Sequence, residues 1–258
     1  MGTYYYLKNP NPHDEWGMVP VHEDDYIAAI LRVAKKRGVK ITDGMIMKEI
    51  GLGTKKKRRE TKRKHIHLYV DGTNLFAGQN DLFGPKAYVP FSAFLGAVKA
   101  YYTVSRVFFY ASYMVAANYR KPGKKFLVAA EGKFYHSVRQ TRWVSFYRGH
   151  RSPSSGKEKG VDVHLAVDMV RDALLHRYDE AIIWSGDADL SYSVEVVRML
   201  HIPVHAVFLP NRFSLGLAHA ASSSVVLNYR KRFEAGKQAL PRSLEIKALK
   251  DPTCVHVG

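Results

Sequence analysis

The chain contains a single cysteine, Cys254, among 258 residues. That excludes a disulfide framework, and it excludes a cysteine-based zinc site built from this chain alone. No apolar run approaches the length that spans a bilayer. The N-terminal residues, rich in Tyr, Asn, Pro and acids, also lack the basic-then-apolar pattern of a secretory signal. The expectation is a soluble cytoplasmic protein with no membrane partner. No internal repeat is present, so a repeat array is excluded as well.

Acidic residues are scarce. Asp and Glu number 23 against 40 Lys and Arg, a net charge of +17, with a pI of 9.8. Such a surface calls for a polyanion, and phosphate backbones are the commonest ones in a cytosol, so nucleic acid is the first candidate partner. Residues 55–64 carry eight bases and one acid and contribute +7, leaving +10 on the remainder, so both parts of the chain are basic.

The hydrophobic content of 46% is sufficient for a core. Residues 1–22, with Pro10, Pro12, Gly17 and Pro20, read as an irregular arm. Over 24–37, Ile27, Ile30, Leu31 and Ala34 recur at helical spacing, with acids leading and bases closing before Gly38, which predicts a helix. A second short helix is predicted from Thr42 to Ile50. The division expected is an arm and small helical region over 1–53, a basic linker over 54–64, an α/β domain over 65–233 and a tail over 234–258.

From His65 onward, strand and helix patterns alternate, the signature of βα units and a parallel sheet. Strands are predicted at 65–70, 105–112, 143–148, 181–185, 203–209 and 224–228. Helices are predicted at 91–102, 123–138, 161–176, 190–201 and 212–221, giving a three-layer α/β sandwich. Residues 149–160 read as a polar, mobile flap.

Two strands end in acids: Leu68-Tyr69-Val70 runs into Asp71-Gly72-Thr73-Asn74, and Ile183-Trp184-Ser185 runs into Gly186-Asp187-Ala188-Asp189. In an open parallel sheet, ligands bind outside the carboxyl ends where strand order reverses, so these acids meet if their strands are neighbours. Carboxylates that close are tolerated only with protons or metal between them. A third acid, Asp162, opens the helix predicted at 161–176. An all-oxygen set of Asp71, Asp162, Asp187 and Asp189 suits Mg²⁺ or Mn²⁺ and phosphodiester hydrolysis. Singly, each acid also reads as a cap or turn residue.

The segments Leu68–Phe76, Lys159–Met169 and Trp184–Leu190, in this order and spacing, resemble the NYN domains of LabA-like proteins, a branch of the PIN-like nucleases. The likeness runs over roughly 65–230. It implies a PIN-like fold and a metal-dependent nuclease with RNA favoured as substrate. It also implies Asp71, Asp162, Asp187 and Asp189 as metal-binding acids, with Asn74 as a polar orienter. Thr73, where many relatives carry a bulky residue, departs from the pattern.

Asp168 also matches, but it lies about 9 Å along the helix and about 120° around it from Asp162, too far for one ion to hold both easily. A second-metal or supporting role stands beside a salt bridge with Arg171. Nucleic-acid contacts are expected from Lys55, Lys56, Lys57, Arg58, Arg59, Arg148, Arg151, Lys157 and Lys159.

Two other functions compete. Asp71-Gly72-Thr73 is similar to half of the haloacid dehalogenase phosphatase signature, but Tyr69 stands where that family needs its nucleophile. A non-catalytic RNA-binding regulator would keep the basic surface without needing the full acidic set.

Overall fold

The computed structural model describes residues 4–8, 18–22, 64–114, 124–151, 158–236 and 239–257. The helices expected over 24–37 and 42–50 lie outside the described residues. The chain divides into two units, Met1–Lys62 and Arg63–Gly258. In the first, Tyr4–Lys8 (β1) and Met18–His22 (β2) pair antiparallel, with Tyr4 opposite His22. The sequence pointed to an irregular arm here because of its prolines. In a two-stranded ribbon every strand is an edge strand, where a residue without an N–H is tolerated.

The second unit alternates strand and helix. Its first half contains β3 (Ile66–Asp71), α1 (Gly72–Phe83), β4 (Ala87–Tyr88), α2 (Phe91–Lys99), β5 (Val104–Ala111), α3 (Lys125–Gln140) and β6 (Val144–Arg148). Next come β7 (His150–Arg151), β8 (Glu158–Lys159), α4 (Val161–Leu174), β9 (Glu180–Trp184) and α5 (Ser191–Met199), the last preceded by a 3-10 turn at Ala188–Leu190. The unit closes with β10 (Val204–Phe208), α6 (Leu215–Ala220), β11 (Ser223–Tyr229), β12 (Leu244–Leu249) and β13 (Val255–His256).

Seven strands form one parallel sheet in the order β12-β11-β10-β9-β3-β5-β6. All six residues of β3 are buried, as expected of a central parallel strand covered on both faces. Alternate residues serve opposite layers. Leu68 and Val70 join Phe76 of α1, Phe94 of α2 and Phe134 of α3, while Tyr69 joins Leu165 of α4, Val194 of α5 and Leu217 of α6. The chain thus forms the three-layer α/β sandwich that the alternation predicts.

Two segments differ from the sequence reading. Residues 72–83, which carry no predicted element, form α1. The strand passes into this helix without a loop, so Asp71 both ends β3 and caps α1, and glycines at positions 72 and 78 depress the local helical signal. Gly72 is required by packing, because a Cβ there would lie 2.0 Å from the Phe109 ring. The residues read as a tail supply β12, a parallel edge strand beside β11, and β13, which pairs antiparallel with β4. The signal in 244–249 is weak because an edge strand is only partly covered. Among the described residues no helix is long and apolar enough to cross a membrane.

His67 is buried, its ring centroid 5.3 Å from that of Phe108 and 5.4 Å from that of Tyr178. Burial pulls its pKa from 6.5 down to about 4. Between those values the unfolded chain binds a proton that the folded chain refuses. Stability should therefore fall as pH drops through this window, by up to about 1.4 kcal/mol per pH unit from this group, and should not depend on His67 above it. Urea unfolding at pH 7 and 4.5 checks this. If His67→Phe shows the same pH dependence as the parent, His67 is not its source.

Candidate active site at the carboxyl rim of the sheet

From β3 the chain moves outward through β5 to β6, then returns to β9 on the other side of β3 and continues through β10 and β11. Strand order therefore reverses between β3 and β9, and a crevice opens beyond their carboxyl ends. Val70 pairs with Trp184, so Asp71 and Ser185 leave adjacent strands at the same level.

The Asp71 carboxylate is buried and held at both oxygens. Oδ1 accepts the Asn74 N–H at 2.9 Å as the cap of α1, and Oδ2 accepts the Ser185 hydroxyl at 2.8 Å. The same Ser185 oxygen accepts the Asp187 N–H at 3.0 Å. Asn74 Oδ1 accepts the Gly186 N–H at 3.0 Å, so this amide ties α1 to the loop after β9. That loop packs flush on the next one, since a Cβ on Gly186 would lie 2.6 Å from the Arg212 carbonyl oxygen. Asp187 Oδ1 accepts the Asp189 N–H at 3.0 Å, leaving Asp189 exposed at the head of α5. In the sequence alone Ser185 carries no assigned role. A hydroxyl one position past the strand end, level with Asp71, was the available signal.

Asp162 lies half-buried in the first turn of α4, which follows Gly160 at φ +75°. This helix begins at the same rim, because Val161 abuts Gly149 beyond β6 and His164 stacks on Tyr147 at 4.4 Å. Its path back across the sheet is pinned by two tyrosines. Tyr110 donates to Asp168 at 2.8 Å and Tyr69 to Asp172 at 2.9 Å. Burial, reinforced by these carboxylates, raises both phenol pKa values, so both remain protonated donors.

Asp168 also pairs with Arg171 at 2.7 Å, the salt-bridge reading of that residue. Asp172, which the sequence reading passed over, is buried and pairs with Arg171 at 3.0 Å and Arg177 at 2.9 Å.

The structure joins Asp71 to Asp187 through Ser185, and Asp189 to Asp187 through its backbone. It sets Asp162 on the same rim in the layer of α4. Among the described residues, no three His, Cys, Asp or Glu side chains are grouped so as to hold a metal ion. This all-oxygen set does not fit a closed cage. It fits a hard cation that keeps most of its waters and takes one or two carboxylates.

Of the expected nucleic-acid contacts, Arg148 ends β6 and is exposed, Arg151 is half-buried in β7, and Lys159 is exposed in β8. Strands β7 and β8 pair antiparallel, closing the base of the segment read as a flap. Lys55, Lys56, Lys57, Arg58, Arg59 and Lys157 lie outside the described residues.

The sequence model of the NYN domain matches residues 65–228, from the start of β3 into β11. No curated protein matches the chain. Among solved structures, a protein of unknown function from Vibrio parahaemolyticus is similar over 66% of this chain and 96% of its own, with 19% identity and a TM-score of 0.48. The NYN match spans more than half of the chain and contains all three acidic segments, and so the chain belongs to the NYN domain family of PIN-like nucleases, which act on nucleic acids and typically use divalent metals.

Proposed function

We propose that this protein is a divalent-metal-dependent nuclease of the LabA-like branch, hydrolysing phosphodiester bonds with RNA favoured as substrate. The observation that carries the reading is the Asp71–Ser185–Asp187 linkage at the switch point of the sheet, in a chain of net charge +17. Of Asp71, Asp187, Asp189 and Asp162, one or two would hold Mg²⁺ or Mn²⁺ directly and the others through its waters. A bound ion supplies an activated water and neutralises charge on the phosphate.

The chain's own residues do the rest. The Asn74 N–H and the Ser185 hydroxyl fix the Asp71 carboxylate, and the Asn74 side chain fixes the loop that carries Asp187. We assign the catalytic unit to residues 65–233 and substrate capture to the basic stretch over 54–64, where cations that contact phosphate alike in the ground and transition states add affinity without lowering the chemical barrier. The composition supports action in the cytoplasm.

Incubation with end-labelled RNA and DNA in Mg²⁺, Mn²⁺ or chelator tests this. The expected result is metal-dependent cleavage of RNA that leaves 5′-phosphate and 3′-hydroxyl ends. A 2′,3′-cyclic phosphate formed in chelator would instead identify attack by the RNA's own 2′-hydroxyl and discard the mechanism.

A second reading, a non-catalytic RNA-binding regulator, is favoured by the lack of a three-ligand group among the described residues. RNA binding without cleavage in either metal would establish it. The phosphatase alternative loses support, because Tyr69 is fully buried and its hydroxyl is committed to Asp172.

A further inference from the structure

The rim carries a second feature at its other end, a pocket lined by Tyr113, Arg148, Gly149, His150 and Arg151. Strand register relates it to the acids. Asp71 pairs with Tyr110 and Tyr110 with Tyr147, so Arg148 leaves the sheet about two strand spacings, roughly 10 Å, from the end of β3. Gly149 donates its N–H to the Ala111 carbonyl at 2.8 Å and lies against Val161, the neighbour of Asp162. The pocket and Asp162 therefore border the first turn of the same helix.

Among the described residues the lining is of one sign: two guanidinium groups, one imidazole and no carboxylate. The loop leaving β5 holds both arginines. The Arg148 guanidinium carbon lies 5.1 Å from the Tyr113 ring centroid, and Arg139 lies over the same ring at 5.5 Å. Arg151 donates through Nη2 to the Ser112 carbonyl at 3.4 Å. Among the described residues no carboxylate pairs with Arg148. A guanidinium stacked on an aromatic ring keeps its in-plane N–H edges for an acceptor, and its fork matches two oxygens of a phosphate.

We propose that this pocket is a phosphate-binding subsite for the nucleic-acid strand. Arg148 and Arg151 donate to a phosphate neighbouring the one at Asp71 and Asp187, and Tyr113 acts as the positioning residue for Arg148. The proposal rests on the nucleic-acid reading of the site. It does not require that reading's chemistry. The phosphate is either an internal diester or a 5′-terminal monoester, since both present the same oxygens to the fork.

The test uses the full chain in chelator, so that nothing is cut, and follows the fluorescence anisotropy of a 3′-labelled ten-nucleotide RNA over a salt series. The strand carries either a 5′-phosphate or a 5′-hydroxyl. The double variant R148Q/R151Q should bind about tenfold more weakly, and its log-log salt slope should fall by roughly 0.7, one single-strand phosphate. Y113L, which keeps both cations, should weaken binding with the slope retained, an outcome that mere loss of charge does not produce. If the double variant erases a preference for the 5′-phosphorylated strand, the ligand is the terminal group. Equal weakening of both strands makes it an internal one.

A double variant with native circular dichroism and unchanged affinity and slope overturns the proposal, as does a parent protein that binds neither strand. Cleavage in Mg²⁺, measured in parallel, separates the two claims. A parent that binds through Arg148 and Arg151 yet cuts nothing retires the nuclease reading and leaves the pocket standing. A double variant that cuts normally, with binding unaltered, retires the pocket alone.

Discussion

Asp71→Asn and Asp187→Asn are each expected to lower cleavage by at least about a thousandfold, equivalent to roughly 4 kcal/mol of transition-state stabilisation, while RNA binding stays equal or tightens. Asparagine caps a helix about as well as aspartate, so the Asn74 N–H keeps its acceptor in the first variant and the Asp189 N–H keeps its acceptor in the second. Ser185 can reorient its hydroxyl towards the new amide. The fold should therefore survive, and any loss of rate reports on the missing negative charge. Tighter binding follows because each substitution removes repulsion towards phosphate. Single-turnover cleavage and anisotropy on the same preparations check the pair of effects. Full activity in both variants would remove these acids from the chemistry, and parallel loss of binding and unfolding midpoint would make them structural caps alone.

The largest expected effect on stability comes from Asp172→Ala, at about 3 kcal/mol, since removing one member of a buried ionic group strands its partners. Tyr69 is the most exposed to this loss in energetic terms. Its hydroxyl is buried, donates to Asp172, and has no water to turn to. Arg171 and Arg177 are each about half exposed and can regain water, which keeps the figure at the lower end of the range. For a domain of this size the unfolding midpoint should fall by roughly 6–12 °C. Asp172→Asn, which retains acceptors for the phenol, should lose less. Thermal unfolding of the two variants beside the parent decides the matter, and a change below about 1 kcal/mol in Asp172→Ala would show that the network is incidental. Because this network sets how α4 crosses the sheet, its loss should also reduce cleavage through Asp162, without altering the metal requirement.

Much of this was legible in the chain itself. All six predicted strands match observed ones to within a residue at each end, because apolar runs bounded by turn residues are local signals. The acids at strand ends were legible for the same reason. α1 was not, since a helix that begins on the last residue of a strand leaves no break in the pattern, and Gly72 reads as a turn until Phe109 is seen against it. β12 was missed because a half-covered edge strand carries little hydrophobic periodicity. Asp172 was passed over because an acid on a helix reads as solvated until Tyr69, from the far-off β3, is found beneath it.

What the sequence determined by itself was the α/β class, the basic character and the placement of Asp71, Asp162 and Asp187 at the ends of elements, all properties of residues adjacent along the chain. The tertiary structure decided which of those ends adjoin. Asp71 and Ser185 are 114 positions apart, and only the return of the chain to β9 beside β3 brings the hydroxyl within 2.8 Å of the carboxylate. Strand order of this kind depends on which layers bury the most apolar surface together, a quantity summed over the whole domain. No local stretch of sequence encodes it.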